Sequence, residues 1–219
     1  YSVDKDTYRY HIVGTKKNIY DALAIEAGYS ILQEILGTRK EILVEINYIG
    51  DKESVQRFTK ELQNFFKKNV TVVPKPILTV AKKDIIGAYK MLKGVDIKPK
   101  TPKKGAEPEP VVVPNPIDHL SEESRKEFKE ILEYIESLDM NFRINPFLYE
   151  SPDVVSGLIF NIHTLDKGTK ADSLSIFGTR NDILGKKILN KKEVPCISVL
   201  ITGLKKIPKP VKVIKIVKT

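Results

Sequence analysis

The order of strand-like and helix-like segments is the sequence feature that most constrains this fold. A helix is predicted over 18–36, a strand rich in branched residues over 41–49, and a second amphipathic helix after an N-cap at Asp51. A short strand over 70–73 and a short helix over 83–93 complete this half of the chain. The alternation favours a mixed sheet covered by helices.

The second half begins with a change of composition at Lys98. Residues 98–110 hold four prolines and four lysines, which predicts an extended linker or an exposed loop. Residues 121–138 form the clearest predicted helix, because a serine can cap its start and its apolar residues make one stripe. Strands are then predicted at NFRIN, at 154–163 where Gly157 suits a bulge, at SLSIF, at CISVLIT and in the branched, lysine-rich tail.

Charge and cysteine content narrow the classes of protein. The 219 residues carry 37 Lys and Arg against 28 Asp and Glu, a net charge of +9 that permits attraction to nucleic acid without requiring it. The lysine-rich segments 98–110 and 205–219 contain no aromatic residue, so solvated charge is the simpler interpretation. The single Cys196 excludes an internal disulfide and favours a cytoplasmic protein, and no apolar run is long enough to span a membrane.

General catalytic and metal-binding motifs are absent. The sequence has no phosphate-binding loop, dinucleotide fingerprint, zinc-protease motif or nucleophile elbow. His11, His119 and His163 stand in unrelated segments, so no metal site is expected. Cys196 starts an apolar strand and is interpreted as a core residue rather than a nucleophile.

Several segments nevertheless resemble, in order, the catalytic core of histidyl-tRNA synthetase, a class II aminoacyl-tRNA synthetase. The helix after the family's motif 2 is similar to NIYDALAIEAGYSILQEILG, and the next strand, turn and helix to EINYIGDKESVQRFTKEL. The family's helical insertion is similar to VVPNPIDHLSEESRKEFKEILEYIESLDMNFRIN. The family's histidine-binding segment is similar to SPDVVSGLIFNIH. Its glycine-rich element resembles FGTRNDILG, and its motif 3 VPCISVLITGLKKI. The similarity is collinear over about residues 1–207.

This resemblance implies an α+β fold, with an antiparallel class II synthetase-like sheet flanked by helices and a small helical insertion. Residues 1–97 and 141–207 would be the two parts of the core, 98–140 the linker and insertion, and 208–219 a basic tail or linker. Because the chain starts without Met in a strand-like segment, we expect a fragment that lacks motif 1 and the motif 2 loop. The family also implies a homodimer.

The positions at which the family holds its substrate differ more than its scaffold does. Class II synthetases activate the amino acid with ATP and Mg²⁺ and then transfer it to tRNA. The family's Gln and Glu that hold the substrate amine align with Thr7 and His11, and its essential Arg aligns with Glu150, an inversion of charge. Asp153 keeps the residue type of the histidine-binding segment.

The glycine-rich element and motif 3 retain part of the pattern. Gly178, Arg180 and Asp182 keep their residue types, and Lys206 stands where motif 3 has a phosphate-binding Arg. Lysine keeps the charge but loses the bidentate fork. The candidate ligand-binding residues are therefore Asp153, Gly178, Arg180, Asp182 and Lys206. For Arg180 and Asp182, a structural ion pair is the favoured interpretation.

The resemblance supports three hypotheses about function. The first is a non-catalytic, histidyl-tRNA synthetase-like module that binds or regulates, as the regulatory subunit of ATP phosphoribosyltransferase does, with a protein, small ligand or tRNA as partner and no cofactor. The second is a divergent histidine–tRNA ligase that uses ATP and Mg²⁺. The third, weaker hypothesis is a basic RNA-binding module.

Overall fold

The computed structural model describes residues 7–36, 42–98, 110–165, 174–183 and 194–203. The strands in these ranges are β1 (Tyr8–Val13), β2 (Ile42–Tyr48), β3 (Phe142–Ile144), β4 (Leu158–Thr164), β5 (Ser175–Arg180) and β6 (Cys196–Thr202). The α-helices are α1 (Ile19–Leu36), α2 (Lys52–Lys68), α3 (Lys75–Ala81), α4 (Ile85–Met91) and α5 (Glu122–Ser137), and a 3-10 helix spans Pro116–His119.

The six described strands form one sheet in the order β1-β6-β5-β4-β2-β3. Every neighbouring pair is antiparallel except β2 and β3, which are parallel, so the sheet is mixed rather than purely antiparallel. The predicted α+β class, a synthetase-like sheet flanked by helices, is confirmed. Both predicted parts of the core contribute strands to this sheet, with β1 and β2 from the first part and β3 to β6 from the second.

Three local predictions were wrong or imprecise. Residues 70–73 form a turn, because the Val72 and Val73 amides both donate to the Asn69 carbonyl and satisfy the backbone locally. The predicted helix over 83–93 is the short helix α4, preceded by α3, and the break falls at the N-cap Asp84. The strand predicted over 154–163 begins only at Leu158, since the chain turns at Gly157 with a positive φ of 78°.

Two apolar clusters hold the helices against the sheet. The larger cluster joins α1 and α5 to one face of the sheet, with fully buried contributions such as Ile25, Ile131 and Phe160. The smaller one gathers α2, α3 and α4 around Phe58 and Tyr89 and reaches β4 through Ile159. Helix α5 is therefore part of the main core, although its sequence segment resembles an insertion.

Candidate functional site

A row of polar side chains lies on the sheet face that points away from the larger cluster. Along β6, residues 197, 199 and 201 are buried in that cluster, so the alternation of a strand places Ser198 on the other face. The register then sets His11 of β1 and Thr179 of β5 beside Ser198. We call the polar residues on this side the polar face.

Hydroxyl, amide and imidazole groups dominate the middle of the polar face. His11 Nδ1 lies 3.0 Å from Ser198 Oγ, and Cys196 Sγ lies 3.6 Å from the same oxygen. Further along, Ser175 Oγ donates to Asn161 Oδ1 at 2.8 Å. Most of these side chains are half-buried, so they remain within reach of a ligand on this face.

One end of the polar face carries a charged pair beside a histidine. Arg143 Nε donates to Glu45 Oε1 at 3.0 Å, and a second guanidinium nitrogen donates to the same oxygen. Burial alone would raise the pKa of Glu45, but hydrogen bonds from Arg143 and Asn145 hold it below its usual range. Burial lowers the pKa of His163, because the partly dehydrated ring disfavours the charged form more than Glu45 stabilises it.

Arg180 lies on the opposite face of the sheet, which α1 and α5 cover. It pairs across the strands with Ile197 of the larger cluster, and only 6% of its surface is exposed. Its guanidinium donates from Nε to Asp21 Oδ1 at 3.0 Å and from a terminal nitrogen to the other Asp21 oxygen. A longer ion pair of 3.4 Å joins it to Asp182, and a third bond reaches the Thr15 carbonyl at 3.3 Å.

The two carboxylates of this cluster differ in their surroundings. Asp21, on α1, is 1% exposed, and burial raises its pKa to about 6 because lost hydration outweighs the Arg180 hydrogen bonds. Asp182 accepts from the Cys196 amide at 2.9 Å, and its own amide donates to Ser156 Oγ at 3.2 Å. Arg180 and Asp182 therefore join α1, β5, β6 and the turn before β4 in one buried network.

The other predicted site residues lie in three different environments. A Cβ at Gly178 would lie 2.1 Å from the Phe160 ring, so this glycine leaves room for core packing. Glu150 binds Lys90 Nζ of α4 at 2.7 Å, and both side chains are partly exposed. Asp153 lies in the turn that precedes β4, whereas Lys206 lies outside the described residues.

Sequence reasoning missed Asp21 and most of the polar face. The polar face had a readable signal, because polar residues recur at every second position in segments such as Asn161 and His163 of β4. Asp21 had none, since an acidic residue in a first helical turn is ordinary and its partner is 159 positions away.

Within the described residues no three His, Cys, Asp or Glu side chains form a group that could hold a metal, and no described helix could cross a membrane.

The described architecture has the fold of a class II aminoacyl-tRNA synthetase core. Apo histidyl-tRNA synthetase from S. aureus superposes with a TM-score of 0.63 at 16% identity, over 90% of this chain and 44% of that protein. A Bacillus halodurans protein described as an ATP phosphoribosyltransferase regulatory subunit/histidyl-tRNA synthetase gives a TM-score of 0.52 at 13% identity, over 90% of this chain and 51% of that one.

Sequence comparison supports the same assignment more specifically. Histidine–tRNA ligase from Rickettsia africae is 28% identical over 191 residues, which cover 86% of this chain and 42% of the ligase. No family model matches the chain. The resemblance to the histidyl-tRNA synthetase family is thus confirmed, and the chain spans about two fifths of the length of the ligase relatives.

Proposed function

We propose that this chain is part of a histidyl-tRNA synthetase-like protein that binds a ligand or partner without activating histidine. One observation carries the proposal: the charges of Glu150 and Arg180, two of the aligned positions, are held by internal partners. Glu150 replaces the family's Arg and binds Lys90, and Arg180 is buried between Asp21 and Asp182. Arg180 also lies on the sheet face opposite the polar face, so it is not available to a phosphate there, and freeing it would break a buried ion pair.

The polar face supports a small, hydrogen-bonding ligand better than a triphosphate. Its described residues include two arginines, Arg9 on the edge strand β1 and Arg143, which is bound to Glu45. The remaining polar groups are mainly neutral donors and acceptors, such as Ser198 and Asn161. Phosphoryl transfer needs cations at the developing charge, whereas an amino acid can be held by hydrogen bonds of this kind. We propose L-histidine as the first ligand to test.

A regulatory role is supported by the name of one structural neighbour. The Bacillus halodurans protein with a TM-score of 0.52 carries both a regulatory-subunit and a synthetase description. We therefore propose a protein partner for this chain as well. The homodimer that the resemblance implies stays a prediction.

The alternative is a divergent histidine–tRNA ligase. It is favoured by the relatives themselves, because the matching proteins from several Rickettsia species carry that name. In that case ATP and Mg²⁺ would be required, and Lys206 would act as the cation of motif 3.

Histidine-dependent ATP–pyrophosphate exchange by the full-length protein separates these two functions. We expect no exchange above background under conditions in which a histidyl-tRNA synthetase is active, together with calorimetrically measurable L-histidine binding. Binding should weaken in Ser198→Ala, on the polar face, and should be unchanged in Thr79→Ala, an exposed hydroxyl on α3. Exchange above background would refute the non-catalytic proposal, and histidine binding that ignores Ser198→Ala would refute the polar face as its site.

A further inference from the structure

A groove lies between the C-terminal half of α2, the turn that follows it, and helices α3 and α4. Its volume is about 560 Å³, within the range of pockets that bury small molecules or anchoring side chains. Phe66, Val70 and Leu78 contribute apolar lining, and Lys67, Lys75 and Lys82 contribute its charge. None of the lining residues belongs to the sheet, so the groove is separate from the polar face.

The apolar part of the groove is open to solvent. Val70 is 54% exposed, and Leu78 is half-buried. Phe66 lies deeper, with 6% of its surface exposed, and belongs to the smaller cluster. Apolar side chains of a ligand could therefore pack on Phe66, which forms the apolar floor of the groove, and remove further apolar surface from water.

The charged residues that line this groove are all lysines. Lys67, Lys75 and Lys82 are all exposed, and no carboxylate is among the lining residues in the described part of the chain. The sequence from 67 to 83 holds five lysines and no acidic residue. Such a concentration of one sign attracts anionic groups and orients them as they approach.

We propose that this groove docks an acidic, amphipathic helical segment of a partner protein. Apolar side chains spaced three or four residues apart would enter the groove, and Asp or Glu side chains of the same segment would meet Lys67, Lys75 and Lys82. Nucleic acid fits less well, because the aromatic ring in the lining, Phe66, is too deeply buried to stack on a base. Phosphates would also leave the apolar floor uncovered.

This inference deepens the protein-partner part of the proposed function and rests on it. The test uses the full-length protein and a fluorescein-labelled helical peptide of about 14 residues, with Leu on one face and Glu on the other. A second peptide replaces each Leu by Ala, and an RNA oligonucleotide of equal charge serves as competitor. Fluorescence anisotropy at moderate salt reports binding.

Two protein variants of equal net charge show where the peptide binds. K67E/K75E/K82E reverses the lysines of the groove, and K52E/K60E/K126E reverses three exposed lysines elsewhere on α2 and α5. We expect the groove variant to weaken peptide binding at least roughly tenfold and the control variant by less than about twofold. The Leu-to-Ala peptide should also bind at least roughly tenfold more weakly.

Three results would overturn the docking proposal. An equal loss of peptide affinity in the groove variant and the control variant would show nonspecific charge attraction. Equal affinity of the Leu-containing and Ala-containing peptides would show that the apolar floor does not contribute to binding. Competition by the RNA at equal concentration, lost in the groove variant, would make the groove a nucleic-acid site. L-histidine binding measured on the groove variant should be unchanged, so failure of docking and failure of the polar face are recorded separately.

Discussion

The carboxylate of Asp51 couples the starts of two helices that are distant in sequence. Its Oδ1 accepts from the Ser54 amide at 2.8 Å and from the Ser54 hydroxyl at 2.7 Å, which caps α2. Its Oδ2 accepts from the Ser121 hydroxyl at 2.8 Å, and Ser121 is itself the N-cap of α5. The Ser121 amide completes the link by donating to Ser54 Oγ at 2.9 Å.

Asp51→Ala should therefore destabilise the protein more than the loss of an isolated cap. Loss of an N-cap costs about 1 kcal/mol, and loss of the charged acceptor of Ser121 adds about 1.5 kcal/mol. We expect a total of about 2–3 kcal/mol, because Ser54 and Ser121 are buried and cannot readily recover water. The matched control is Asp84→Ala at the cap of α4. It removes one hydrogen bond of 2.8 Å, from the Gly87 amide to Asp84 Oδ1, and should cost about 1 kcal/mol.

Urea unfolding followed by far-UV circular dichroism measures both variants. With a denaturant slope of about 2 kcal/mol per molar, Asp51→Ala should lower the midpoint by about 1–1.5 M and Asp84→Ala by about 0.5 M. Burial alone would raise the pKa of Asp51, but the hydrogen bonds from Ser54 and Ser121 hold it below its usual range. The stabilisation of the folded state by ionised Asp51 is fully present at neutral pH and is lost as pH falls through the folded-state pKa of Asp51.

The difference between wild type and Asp51→Ala should accordingly narrow in acid. Equal midpoint shifts for the two cap variants would refute the coupling of α2 to α5 through Asp51. A stability difference that stays constant from neutral pH down through the folded-state pKa, below about pH 3.9, would refute the ionised form as the capping species.

Two further predictions concern the core and the polar face. Gly178→Ala should lower the free energy of unfolding by about 1–3 kcal/mol, because its Cβ would collide with Phe160, and the double variant F160L/G178A should recover part of that loss. A Gly178→Ala protein with unchanged thermal stability would contradict the packing role. Because burial lowers the pKa of His163, the folded state binds this proton less tightly, so stability should fall as pH drops below about 6.5. His163→Gln should flatten that part of the stability profile, and an unchanged slope would count against burial of the ring.

Local patterns predicted most of the elements because their causes lie within a few residues. The helix predicted over 121–138 is α5, and its cap is the predicted Ser121, whose Oγ accepts from the Ser124 amide at 3.1 Å. The helix over 18–36 and the strand over 41–49 match α1 and β2 within one residue at each end. The valines of 70–73 misled the prediction because strand propensity describes packing on a sheet, and none of the described strands pairs with this segment.

The candidate site was harder to predict, since it depends on which distant segments pack against each residue. Gly178, Arg180 and Asp182 lie close together in sequence, yet Gly178 packs on Phe160 while Arg180 binds Asp21 of α1. The Arg180–Asp182 ion pair is present at 3.4 Å, but the bidentate partner is Asp21. Their roles as ligand-binding residues, with those of Asp153 and Lys206, stay predictions.

The sequence by itself determined most of the order of elements, two of the helix caps and the family likeness, because periodicity, capping and collinear segments are properties of the chain in one dimension. Only the tertiary structure decided which partner each charged side chain binds. Register and strand alternation turn Arg180 toward Asp21, 159 positions away, and folding brings Lys90 to Glu150 from a separation of 60. Ion pairs form through space, so whether a charge faces a ligand or another residue is fixed only when distant segments pack.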